Sequence, residues 1–180
     1  MKIFSVKQEI DYYETFKDFA NDFSFCDTDL LFTEAVLYDR YMEKCKLPCN
    51  VLIKDNFSVT EPDEETVDKI LEAISGKNIK RIIAVGGGSV IDIAKAIRIK
   101  DAYPFGKILK NEIPIEVEKD LIVVPTTCGT GSEITSGAII LQKGTGLKTI
   151  IPCFELSSSL AVLIPEFILS RCSYIVRWMH

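Results

Sequence analysis

The sequence predicts an α/β domain with a parallel sheet and flanking helices, on two observations. Short apolar runs without polar alternation, expected of strands covered on both faces, alternate with longer stretches whose apolar residues fall at helical spacing. The chain has 180 residues, 47% hydrophobic and 26% charged, which suffices for one buried core and excludes disordered and fibrous classes.

Leu30, Leu31, Phe32 and Thr33 read as a buried strand, followed by a helical stretch with Ala35, Tyr38, Tyr41, Met42 and Cys45 on one face. Val51, Leu52 and Ile53 form the next strand. Thr60 is expected to cap a helix opened by Pro62, with Asp63, Glu64 and Glu65 suited to the positive end of the helix dipole. Val67, Ile70, Leu71 and Ile74 follow at i, i+3, i+4, i+7, and Gly76 supplies the stop. Residues 81–85 are a third strand that runs into Gly86-Gly87-Gly88-Ser89 and a helix with Val90, Ile93, Ala94 and Ile97 on one side. Residues 101–120, with Pro104, Gly106, Pro114 and several charges, read as a surface connection. Residues 121–124 are a fourth strand, broken by Pro125. Residues 138–141 and 149–151 are strands around the turn at 143–146, and residues 161–164 another before a helix starting near Pro165.

Composition narrows the function. With 21 Lys and Arg against 26 Asp and Glu the net charge is −5, so nothing recommends nucleic acid or a membrane surface as a partner. A small-molecule ligand stays open. Charges at Lys2, Lys7 and Glu9 interrupt any secretion signal, and the apolar run at 160–164 stops at Pro165-Glu166, far short of the roughly 18 residues of a membrane span. A cytoplasmic location is expected, and the six irregularly spaced cysteines then read as thiols. Cys45 and Cys49, the one close pair, lack a second pair at zinc-site spacing. The sole imidazole is His180, the final residue.

Two segments carry chemistry. A strand that ends in Gly86-Gly87-Gly88 and feeds a helix at Ser89 suits phosphate, because glycines admit an oxyanion to the backbone amides and the helix start offers unpaired donors. It matches neither G-x-G-x-x-G nor the Walker pattern, so a tight packing turn is the competing reading. Ser89 and Asp92 form an S-x-x-D capping arrangement, and Lys95 reads as Asp92's partner in an exposed pair. The second segment, Pro125-Thr126-Thr127-Cys128-Gly129-Thr130-Gly131-Ser132-Glu133, packs hydroxyls and glycines after a strand, where open parallel sheets bind ligands; a solvated turn is its alternative. No histidine stands ready to activate Cys128, which reads as a small loop residue.

Residues 86–95 and 125–135 together resemble the iron-dependent, or group III, alcohol dehydrogenases, over roughly residues 1–169. Residues 81–95 and 161–168 look most like the branch acting on 4-hydroxybutyrate. The resemblance implies a Rossmann-like dinucleotide-binding domain over 1–169, NAD as cofactor, and a small alcohol or aldehyde as substrate of the full-length form. By it, Gly87, Gly88 and Ser89 cradle the pyrophosphate, with Gly86 and Asp92 completing the motif. Thr126, Thr127 and Thr130 line the cofactor groove, Glu34 bonds the adenosine ribose, and Lys148 lies near the cofactor. The family also holds Fe²⁺ or Zn²⁺ with one Asp and three His in an all-helical C-terminal domain. The segment 170–180 departs from that pattern as an atypical tail, so the expectation is a chain truncated before its metal domain and inactive alone. Apolar residues at 160–168 and 174–178 would then be left partly exposed and favour a homo-oligomer. A non-catalytic nucleotide-binding or interaction domain is the first alternative. The glycerol-1-phosphate dehydrogenase and dehydroquinate synthase branch is the second.

Overall fold

The computed structural model describes residues 8–58 and 61–169. In chain order they form β1 (Glu9–Tyr12), α1 (Phe16–Asp22), β2 (Asp29–Thr33), a short α2 (Ala35–Leu37), β3 (Asn50–Ile53), α3 (Glu64–Ile74), β4 (Arg81–Gly86), α4 (Gly88–Ile97), α5 (Gly106–Leu109), β5 (Asp120–Pro125), β6 (Gly137–Gln142), β7 (Leu147–Pro152) and β8 (Leu160–Leu163). Residues 165–169 begin a further helical turn.

Six strands make one parallel sheet in the order β1-β8-β5-β4-β2-β3, and β6 and β7 form a separate antiparallel hairpin. Alternate residues of the central strands enter two cores, as the period of a strand demands. Leu30, Phe32, Ile82, Ala84, Leu121 and Val123 pack with α3 and α4, while Leu31, Ile83, Val85, Ile122 and Val124 pack with Phe16, Phe19, Met42 and Phe167. With both faces covered, β2, β4 and β5 require the unbroken apolar runs that identify them in the sequence.

Three expectations need correction, and two elements leave no mark in the sequence. The strand β1, exposed along its length at the sheet edge, and α1 carry no pattern that marked them. The stretch after β2 is no regular helix: α2 passes into a wide π-type turn at Tyr38–Met42 and a tight turn at Glu43–Cys45. Asp63 caps α3, accepting the Thr66 amide at 2.7 Å, because it sits three residues before that donor, and Thr60 lies outside the described residues. Gly76 does end α3 in a left-handed conformation, φ 77°. Residues 101–120 are more than a surface connection, since α5 brings Phe105 and Ile108 into the core and Asp68 accepts the Phe105 amide at 2.7 Å.

Without the edge strand β1, the sheet has the doubly wound order 2-1-3-4-5, in which β2 is the first strand and β4 the third. The chain leaves β2 and β4 in opposite directions, and the crevice outside their carboxyl ends is where such sheets bind ligands. Those ends are Thr33 and Gly86. Among the described residues no helix is long and apolar enough to cross a membrane.

Candidate functional site

A cleft of about 540 Å³ opens at this switch point. Glu34 reaches it from the end of β2, Gly87, Gly88, Ser89 and Asp92 from the start of α4, Thr127 and Thr130 from the loop after β5, and Lys148 from β7. Eight of the ten residues singled out in the sequence therefore share one wall.

The three glycines have different physical reasons. None of the three has a positive φ; what they save is space. A Cβ on Gly86 would stand 2.5–2.9 Å from the Val90 side chain, so this glycine lets α4 pack against the end of β4. A Cβ on Gly88 would crowd Thr130 Oγ1 at 3.1 Å and Ser132 Oγ at 3.2 Å. On Gly87 it would meet only Thr127, at 3.5–3.6 Å, and otherwise enter the cleft.

Gly87 is the N-cap of α4, with extended backbone (φ −77°, ψ −175°), and its carbonyl already accepts from the amides of Val90 and Ile91. The helix thus starts before Ser89, and no side chain caps it. This overturns the capping arrangement of Ser89 and Asp92. The first amides of α4 have no intrahelical acceptor and face the cleft, aided by the helix dipole. Asp92 is instead a buried acceptor of the Ser132 hydroxyl and the Ile139 amide, and its burial pushes the carboxyl above the usual range.

The exposed pair expected of Asp92 and Lys95 is also corrected. Lys95 is fully buried, because the hairpin and the threonine loop close over α4, and its Nζ lies 4.0 Å from Asp92 Oδ1. It donates to Thr135 O at 2.9 Å, Thr135 Oγ1 at 3.1 Å and Gly137 O at 2.8 Å. Burial lowers its pKa to about 8.

The remaining two residues, Gly86 and Thr126, stand behind the cleft wall. Thr126 is fully buried; its amide donates to Gly86 O at 3.0 Å, and its hydroxyl has no hydrogen-bond partner. In the loop beyond it, Gly131 takes φ 64°, and the Ser132 amide donates to Thr130 Oγ1 at 3.3 Å. Cys128 is exposed on the wall, as a small loop residue would be.

Sequence reasoning missed Glu61, whose Oε1 accepts from Lys148 Nζ at 2.8 Å across the mouth of the cleft, and the apolar wall of Ile139 and Leu141. An ion pair spanning 87 positions leaves no local signal. A second cleft, of about 750 Å³, adjoins the first; Asp92, Thr130, Ser132 and Ile139 line both.

The sequence model of the iron-containing alcohol dehydrogenases matches residues 7–165. The chain belongs to this family. It is 36% identical over 168 residues to the 4-hydroxybutyrate dehydrogenase of Clostridium kluyveri, covering 93% of this chain and 45% of that protein. To aldehyde-alcohol dehydrogenase 2 of Entamoeba histolytica it is 32% identical, covering 94% and 21% respectively. Among solved structures, the sulfoacetaldehyde reductase of Bifidobacterium kashiwanohense in complex with NAD+ matches with TM-score 0.77 at 24% identity, over 94% of this chain and 48% of that one. The NADH-dependent butanol dehydrogenase A of Thermotoga maritima matches with TM-score 0.73 at 18% identity, over 94% and 46%. The chain spans less than half the length of these relatives.

The residues present fit a dinucleotide. A helix start with bare amides and a glycine, Gly87, whose Cβ would enter the cleft converge on one site. They do not fit the family's iron: among the described residues no three His, Cys, Asp or Glu side chains cluster to hold a metal, and no step through one is derived.

Proposed function

We propose that residues 1–169 form the dinucleotide-binding domain of an NAD-dependent alcohol dehydrogenase that interconverts 4-hydroxybutyrate and succinate semialdehyde. One observation carries the reading: the start of α4, which no side chain caps, meets the glycine cradle at the switch point of the sheet. Its amides would donate to the pyrophosphate, Thr127 and Thr130 would close the cradle from above, and Glu34 would accept from an adenosine ribose hydroxyl. A bound nicotinamide would supply the hydride chemistry. The substrate follows the likeness to the Clostridium kluyveri enzyme, at 36% identity.

The 180 residues contain one imidazole, so a site of one carboxylate and three imidazoles exceeds their donors, and they are expected to bind NAD without metal-dependent turnover. The five described cysteines are free thiols, which suits the cytoplasm. Calorimetric titration of the 180-residue chain with NADH tests the reading. Saturable binding is expected, and a folded chain that takes up neither NADH nor NAD would overturn it.

A further inference from the structure

β6 is an edge strand whose outer backbone groups need partners. Ser136 O accepts the Cys153 amide at 3.2 Å, and the alternation of an antiparallel ladder then turns the Gly137 carbonyl away from β7. It meets Lys95 Nζ at 2.8 Å. Two residues on, the Ile139 amide meets the Asp92 carboxylate, and the Leu141 amide donates to Pro62 O at 2.8 Å. Side chains one turn apart on α4 thus complete the free edge of β6 as a neighbouring strand would.

We propose that Lys95 is a positioning residue, a buried ammonium that fastens the threonine loop and β6 to α4 and so holds the wall between the two clefts in place. The proposal rests on the reading that the first cleft takes a dinucleotide. Lys95 itself has no exposed surface, whereas Ser132, Ile139 and Leu141, on the segment it fastens, line the first cleft. Its neighbours Ile93, Ala94, Ala96 and Ile97 are all buried and uncharged, so packing alone would favour an apolar side chain here. What an apolar chain lacks is three hydrogens for Thr135 O, Thr135 Oγ1 and Gly137 O.

The fastening depends on charge. A neutral amine has only two hydrogens for three acceptors, and its loss of charge leaves Asp92 without the cation 4.0 Å away. The charged groups facing Lys95 are Asp92 and Arg98 from α4 and Glu133 from the loop. Deprotonation at about pH 8 should therefore loosen the wall while the central sheet stays intact.

Amide exchange and NADH titration on the full chain, parent and Lys95→Met, test this. In the variant the peptide covering 130–142 should exchange at least about tenfold faster than in the parent, the weight of one or more lost hydrogen bonds, with β4 and β5 unchanged. In the parent, NADH affinity should fall about threefold to tenfold from one unit below to one unit above pH 8, and the Met variant should bind more weakly with no such pH dependence. Equal exchange in 130–142, or a flat parent profile, would overturn the role of Lys95. If Lys95→Met fails to fold, the parent's own exchange decides: 130–142 must lose protection relative to β5 as pH rises through 8. A parent that binds no NADH at any pH overturns the proposed function alone, since the exchange comparison still stands.

Discussion

Alanine at Gly86 and at Gly87 should produce opposite phenotypes from adjacent positions. At Gly86 the new Cβ would lie 2.5, 2.6 and 2.9 Å from Val90 Cγ2, Cβ and Cγ1, inside the tightly packed junction of β4 and α4. Overpacking of this kind costs about 1–3 kcal/mol, or about 2–12 °C in Tm for a chain of this size. At Gly87 the Cβ meets Thr127 at ordinary contact distance, and its backbone (φ −77°, ψ −175°) is open to any residue. Restricting the unfolded chain gains about 0.4–1 kcal/mol, while alanine is a poorer N-cap than glycine by about the same amount, so stability should hold within about 1 kcal/mol.

The methyl on residue 87 would nonetheless occupy the place where an oxyanion must approach the first amides of α4. Losing one charge-assisted hydrogen bond there removes about 1.5–3 kcal/mol of binding, which is about tenfold to hundredfold in Kd. Thermal melts and calorimetric NADH titrations of the parent, Gly86→Ala and Gly87→Ala read both quantities. Parent-like NADH affinity in Gly87→Ala would refute the argument that this turn holds phosphate. An unchanged melt for Gly86→Ala would refute the packing role of its neighbour.

Gly88→Val places a branched side chain against Thr130 and Ser132, so NADH binding should be lost by calorimetry while circular dichroism stays native. Glu34→Gly should narrow the preference for NADH over NADPH by about tenfold, since a carboxylate at the ribose repels a 2′-phosphate; an unchanged ratio would leave Glu34 as the residue that opens α2. Burial pushes the Cys49 thiol up to about 11 from 9.0, so folding favours its protonated form. That contribution is fully present below pH 9 and is lost as pH rises toward 11, and denaturant melts of parent and Cys49→Ala should converge across this window. The same shift should make Cys49 slower to alkylate than the exposed Cys26 and Cys128, by mass spectrometry after brief iodoacetamide treatment.

The parts legible in the sequence are those whose surroundings leave a local trace. β2, β4 and β5 are covered on both faces and must be apolar throughout, and α3 buries one stripe under an acidic cap. β1 is an exposed edge of four residues, so nothing constrains its alternation. The capping arrangement misled because S-x-x-D is satisfied in the sequence while Gly87 does the capping by backbone shape alone. Lys95 misled for a longer-range reason: a lysine near the end of a helix suits solvent and the helix dipole, and only residues 40 and 42 positions later bury it.

The charge on the cleft wall bears on how it would hold an anion. Among the described residues, three carboxylates, Glu34, Glu61 and Asp92, line it against one cation, Lys148, and that cation is bonded to Glu61. A pyrophosphate entering here would gain little from side-chain charge, so its affinity would rest on the backbone amides and dipole of α4. Such short, fixed donors are screened far less by salt than a field of exposed lysines would be. The same acidic rim would tolerate the two phosphates that the helix start can satisfy and oppose a third placed near Glu34. On the proposed reading, discrimination against a phosphorylated ribose and attraction for the pyrophosphate would fall to different elements, the end of β2 and the start of α4, which the doubly wound order brings to the two sides of one crevice.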